Sequence, residues 1–163
     1  MRTLKKSAVW SIGTMVMTII HHFYGAIIYD EPFRLHVAIF AIPVIIVLLA
    51  AYLAVLRASN PRFRNFSLGI FLTVSFLFSA GAIGVYEGGY NHVLKNLLYF
   101  GGTPTVALDK IYPSIYELPN DIFFELTGIA QFVTGLLCGR EIFRLLTRRR
   151  FELSNDSSWP KAR

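Results

Sequence analysis

From Leu35 to Leu56 the chain runs without a single Asp, Glu, Lys or Arg, and a helix that is apolar on every side belongs in lipid. The hydrocarbon core of a bilayer takes about 20 apolar residues to cross as a helix, and this sequence offers three further runs of that kind. Its 163 residues are 54% hydrophobic and only 16% charged, against about 25% charged in ordinary soluble domains. The expectation is an all-α fold, a four-transmembrane-helix bundle, in one integral membrane domain over residues 1–153.

The expected spans are about 8–29, 35–56, 66–88 and 120–146. The first follows a basic leader of Arg2, Lys5 and Lys6 and could pass for a secretory signal. Its apolar stretch runs on into His21, His22, Phe23 and Tyr24 with no small-x-small cleavage pattern, so the helix is expected to be retained and to reach the Asp30-Glu31-Pro32 turn. Pro43 should kink the second span, because its ring removes a donor from the ladder. The third begins after Asn60-Pro61. The fourth begins after Pro119, with Asn120 as its N-cap.

The one long connection, roughly Gly88 to Pro119, has structure to offer. Tyr90 to Phe100 can form a short helix or extend the third span, ended by Gly101-Gly102. Tyr112, Tyr116, Pro113 and Pro119 then read as a cap at the headgroup level, where amphipathic aromatics collect. Residues 154–163 read as a disordered cytoplasmic tail.

Orientation follows from charge, since Lys and Arg near span ends stay on the cytoplasmic side. Thirteen of the sixteen basic residues fall at the two ends of the chain and in the loop containing Arg57, Arg62 and Arg64. The other two connections hold Arg34, Lys95 and Lys110 against seven acids, Asp30, Glu31, Glu87, Asp109, Glu117, Asp121 and Glu125. The expected location is the cell (inner) membrane with both termini cytoplasmic. A net charge of +6 is explained by that asymmetry, so no nucleic-acid partner is expected; lipid is the partner expected, with a second copy or another membrane protein as a further one.

This topology brings four helix ends to the same outer side, and with them every histidine. His21 and His22 sit about two turns inside the boundary at 1.5 Å rise per residue; His36 opens the second span after Arg34. Glu87 closes the third, with Tyr90 and Asn91 on its side at helical spacing and His92 nearby. Asp121 and Glu125, four apart, share a face of the fourth. Ionisable groups in hydrocarbon cost several kcal/mol unless paired, hydrated or holding an ion. Imidazole with carboxylate suits a first-row transition metal, and helix bundles build such sites from inward-facing Glu and His.

The expected ligands are His21, His22, His36, Glu87, His92 and Glu125, with Tyr24, Tyr29, Arg34, Tyr90, Asn91 and Asp121 around them. Plainer roles compete. Adjacent histidines diverge by about 100° on a helix, so at least one of His21 and His22 is expected to make a structural hydrogen bond. His36, His92 and Asp121 lie near enough to water to be simply solvated, and Glu125 could pair with Arg34 or Lys95. Small-residue pairs (Gly135 with Gly139, Ser75 with Ser79, Ala80 with Gly84) point to close helix packing and assembly. The sequence has no Cys-x-x-Cys, no His-Glu-x-x-His and no phosphate loop.

Three functions fit these residues: an outward-facing pocket holding a metal ion; a pocket for a quinone, haem or other small molecule, with His21 or His22 and His36 or His92 as axial ligands in the haem case; or a non-catalytic subunit of a larger membrane complex.

Overall fold

The computed structural model describes residues 2–112 and 118–156, with side chains through Arg148. It has five helices and, among the described residues, no strand. They are α1 (Arg2–Ile28), α2 (Leu35–Arg57), α3 (Pro61–Phe100), α4 (Thr105–Ile111) and α5 (Ile122–Asp156). All but α4 are long and apolar enough to cross a membrane, and they form the four-helix bundle. Their outward faces carry Ile39, Phe66, Ile122 and Phe143, each at least 65% exposed, which only lipid makes tolerable over so much surface.

Each boundary has a local cause. Asp30, at φ 52°, ends α1, and a single 3₁₀ turn, Pro32–Arg34, leads directly into α2. Asn60 caps α3 by accepting from the Arg62 and Phe63 amides at 2.8 and 3.4 Å, with Pro61 in the first position. Gly102, at φ +85°, turns the chain out of α3. At α5 the cap is Asp121, whose Oδ1 accepts from Phe124 N at 2.7 Å. The expected cap, Asn120, instead accepts from the Tyr29 hydroxyl at 2.6 Å. Helix α2 runs through Pro43 without interruption.

Two expectations about the long connection divide. Tyr90 to Phe100 is no separate surface helix but the end of α3; the short surface helix is α4, with Leu108 and Tyr112 buried beneath it. Pro113 and Tyr116 lie outside the described residues. So does the chain beyond Asp156; the backbone stays helical up to that residue, past the point where a tail was expected.

From Ser75 to Leu94, α3 is wound in π form, with i→i+5 hydrogen bonding. In an α-helix residues five apart point about 140° away from each other. With about 4.4 residues per turn in a π-helix they are about 50° apart. Glu87 and His92 thereby share one face, and Tyr90 does not.

The bundle has two interiors. Around α1, α2 and the first half of α3 lies an apolar core of Met15, Ala41, Val44, Leu48 and Phe71. Between α1, α3 and α5 the interior is small and polar: Ser11, Ser75 and Cys138 meet there, with Ser11 Oγ 2.9 Å from Ser75 Oγ and 3.1 Å from Cys138 Sγ. The small residues singled out in the sequence are consumed at this seam. A Cβ on Gly84 would lie 2.7 Å from the Gly135 Cα, and Ser75, Ser79 and Ala80 are buried beside it. These faces dock α3 on α5 within the chain, so they are not free to dock a partner.

Candidate metal centre

At the end of the bundle where α1 finishes and α5 begins, two helices, α1 and α3, bring three imidazoles around one carboxylate oxygen, and α5 backs them with Glu125 and Thr127. Glu87 Oε1 lies 3.8 Å from His21 Nε2, 3.7 Å from His22 Nε2 and 3.8 Å from His92 Nε2. The His21 and His92 Nε2 atoms are themselves 3.1 Å apart. All three histidines are buried, and Glu87 is nearly so, with 16% of its side chain exposed. His21, Glu87 and His92 place their ligand atoms within 4.8 Å of one another.

The tautomers follow from what holds each Nδ1. The Thr18 carbonyl, which can only accept, lies 3.0 Å from His22 Nδ1. Glu125 Oε2 lies 2.8 Å from His92 Nδ1. Thr127 Oγ1 lies 2.9 Å from His21 Nδ1, and its own proton is donated to the Phe123 and Phe124 carbonyls, both at 2.9 Å. The Thr18 carbonyl and the Glu125 carboxylate make Nδ1 the donor in His22 and His92, so the Nε2 atoms of those rings face Glu87, and the His21 and His92 Nε2 atoms lie at a distance that one shared proton can bridge. Fixing a ring through the nitrogen remote from the ion is how proteins orient imidazole ligands.

The surroundings lock that arrangement. Glu125 also accepts from Asn96 Nδ2 at 2.9 Å and pairs with Lys95 Nζ at 3.3 Å, which balances its charge. Asn91 donates to Glu87 Oε2 at 2.8 Å, leaving Oε1 for the imidazoles. Phe124 stacks on His21 at 4.1 Å between centroids and meets His92 edge-on at 5.2 Å. Two glycines make room for these rings. A Cβ on Gly25 would sit 2.6 Å from the Phe124 ring, and one on Gly128 would overlap the His92 imidazole.

Of the expected ligands, the structure brings together His21, His22, Glu87, His92 and Glu125, with Glu125 behind His92 rather than at the centre. His36 is not brought in: it is exposed on α2, its ring 6.3 Å from Phe33. Three helices therefore build the cluster, not four. His22 makes the structural hydrogen bond expected of one member of the pair, yet its Nε2 lies 3.7 Å from Glu87 Oε1; the His21 and His22 rings are 5.0 Å apart and near perpendicular.

Among the surrounding residues Asn91 bonds directly to Glu87. Tyr24 donates to Asp121 Oδ2 at 3.1 Å. Arg34 pairs with Glu31 and lies over the Tyr29, Phe33 and Phe124 rings. Tyr90 stacks on Tyr86 and donates to the Ile111 carbonyl at 3.1 Å, while Tyr112 returns a bond to Tyr90 O at 3.0 Å. These contacts tie the cap to the bundle. Burial pushes the Tyr112 phenol above the usual tyrosine range, with Tyr90 adding to it, so it stays a donor. Asn96, Thr127 and Gly128 were not singled out from sequence; of the two cations expected to pair with Glu125, Lys95 is the one that does, at 3.3 Å.

Compared with known proteins, the chain matches no family model, no curated protein and no solved structure.

Proposed function

We propose that this chain is a multi-pass membrane protein whose His21, His22, His92 and Glu87 hold a divalent first-row metal ion. The observation that carries the reading is the convergence of three imidazole Nε2 atoms on one carboxylate oxygen, each ring held through its Nδ1. At metal–nitrogen bonds of about 2.0–2.1 Å the edge of a coordination tetrahedron is about 3.3 Å. The spacings of 3.1 Å between His21 and His92 and 3.8 Å from each to Glu87 bracket that edge, so a few tenths of an ångström of closure brings these three to coordination distance, and His22, 3.7 Å from Glu87, turns in as the fourth. An ion also answers the electrostatics. Lys95 offsets Glu125, and a cation at the centre offsets Glu87, whose buried charge is otherwise costly.

The haem alternative gains nothing from the pair that meets here. Trans ligands at about 2 Å each would stand about 4 Å apart with a macrocycle between them, and His21 and His92 are closer than that. The same contact can instead hold one proton, which a carrier for a quinone or another small molecule would use. Metal content separates the two. Protein purified in detergent and loaded with Zn(II), Mn(II), Fe(II) or Co(II) should retain about one ion per chain, and the H21A/H92A double variant should retain none. A folded wild-type protein that keeps no ion under any loading condition contradicts the proposal.

The basic residues at the chain ends and in the α2–α3 loop support an orientation with both termini in the cytoplasm of a cell (inner) membrane and the centre near the opposite face. Domain organisation follows as one integral membrane unit, with lipid as its standing partner and self-association or a membrane-protein partner left to purification in mild detergent.

A further inference from the structure

The opposite end of the bundle carries a second feature, built from residues the metal centre does not use. Arg2, Lys5 and Lys6 on the first turns of α1 and Arg140 on α5 surround a cavity of about 470 Å³ whose walls include Val9, Trp10 and Leu137. The acid in its lining, Glu141, is buried and paired with Arg144 at 2.8 Å. The four cations at the rim are therefore not neutralised by it. Lys5 and Val9 also line a second hollow, of about 500 Å³, that continues along α1 towards its middle. Its lining there is Ile12, Gly13, Val16 and Met17, with Leu49 and Tyr52 supplied by α2. Gly13 deepens it, since a Cβ at that position would meet nothing within 4 Å.

A basic chamber opening into an apolar furrow matches one kind of molecule. From Lys5 to Met17 the furrow spans about 18 Å of helix at 1.5 Å per residue, which is the length of an extended acyl chain. The rim offers several positive charges where headgroups lie, and each Lys or Arg near an anionic surface contributes about 1 kcal/mol. Trp10 lines the basic cavity, one residue along α1 from Val9, which lines both hollows, at the level where its ring is favoured. We infer that this site binds one anionic phospholipid, its phosphate among Arg2, Lys5, Lys6 and Arg140 and an acyl chain along the Gly13 furrow. A neutral phospholipid fits the furrow but leaves the rim without a counter-charge.

Trp10 is a built-in reporter. The other tryptophan is Trp159, so full-length W159F carries Trp10 alone. In vesicles of phosphatidylcholine doped with brominated phosphatidylglycerol, quenching of Trp10 should exceed that by brominated phosphatidylcholine at equal mole fraction by about twofold or more. The K5Q/K6Q/R140Q variant should bring the two lipids to parity, while excess inorganic phosphate should leave the preference in place. In G13L, whose added side chain enters open space, quenching by the acyl-brominated anionic lipid should fall although the rim is intact. Equal quenching by both lipids in W159F overturns the inference, as does a preference that the triple variant keeps, or one that inorganic phosphate abolishes. Retained helicity by circular dichroism qualifies each variant for the comparison.

Discussion

His21 and His92 approach Nε2 to Nε2 at 3.1 Å, their ring planes at 90°. With His92 Nδ1 held by Glu125 and His21 Nδ1 by Thr127, the two facing nitrogens keep that distance by sharing a proton or by lying beside a positive ion. Glu87, 3.8 Å from each, adds negative charge to the same spot. A bound cation, as proposed, would offset that charge.

Glu125 holds His92 in place from outside the centre. Glu125→Gln keeps an acceptor near Nδ1 but removes the charge that Lys95 balances and that strengthens the imidazole as a ligand. Metal affinity, measured by competition with a chelator, should fall about 10- to 100-fold with the helical content unchanged. Unaltered affinity would show that His92 is not a ligand.

Gly128 leaves the space into which the His92 ring fits. Gly128→Ala puts a methyl group into that ring, so either the ring leaves the centre or α3 and α5 separate. Metal retention should drop to background and thermal stability should fall by about 1–3 kcal/mol, the usual cost of overpacking. Gly13→Ala, where a Cβ meets open space, should leave metal retention unchanged. Equal effects of the two substitutions would contradict this assignment.

Acid should release the ion. Each imidazole must be unprotonated to bind, and histidine ordinarily titrates near pH 6.5. Protons compete increasingly as pH falls below that range, so affinity should decline by up to about tenfold per pH unit for each imidazole bound. Because the ion binds the folded state, the melting temperature gained on loading should be lost over the same interval. H22Q should make the decline shallower by about one proton. A flat affinity between pH 7.5 and 5.5 would mean that carboxylates alone hold the ion.

His36→Ala is the matched control. The residue is exposed on α2 and apart from the cluster, so metal retention and its pH dependence should equal those of the wild type; a loss would place the centre elsewhere.

Sequence made the membrane helices legible because lipid imposes length and polarity on them directly: the charge-free run of α2 admits little else. It also placed His21, His22, Glu87, His92 and Glu125 at one end of the bundle, since topology alone brings those helix ends together. It could not rank them. Whether His36 faced inward depended on which face of α2 meets α1 and α3, and an all-round apolar helix carries no such mark. The sharing of a face by Glu87 and His92 was hidden by the assumption of 3.6 residues per turn, under which Tyr90 looked like a closer companion. Lys95 was legible as a partner for Glu125 because a buried carboxylate needs a cation, but Asn96 and Thr127 were missed: their role is to satisfy Glu125 and His21, and that demand exists only once the rings are in place. The small residues of α3 and α5 were read correctly as a packing surface, but which helix they packed against needed coordinates.

X-ray absorption at the edge of the bound metal tests the central claim most directly. Protein loaded with Zn(II) or Co(II) should show about three nitrogen scatterers and one oxygen near 2.0–2.1 Å, with the outer-sphere pattern of imidazole rings. In H21A/H92A that pattern should be gone. A shell of oxygen atoms without imidazole scattering, or a spectrum identical in the double variant, would contradict a centre built from His21, His22, His92 and Glu87.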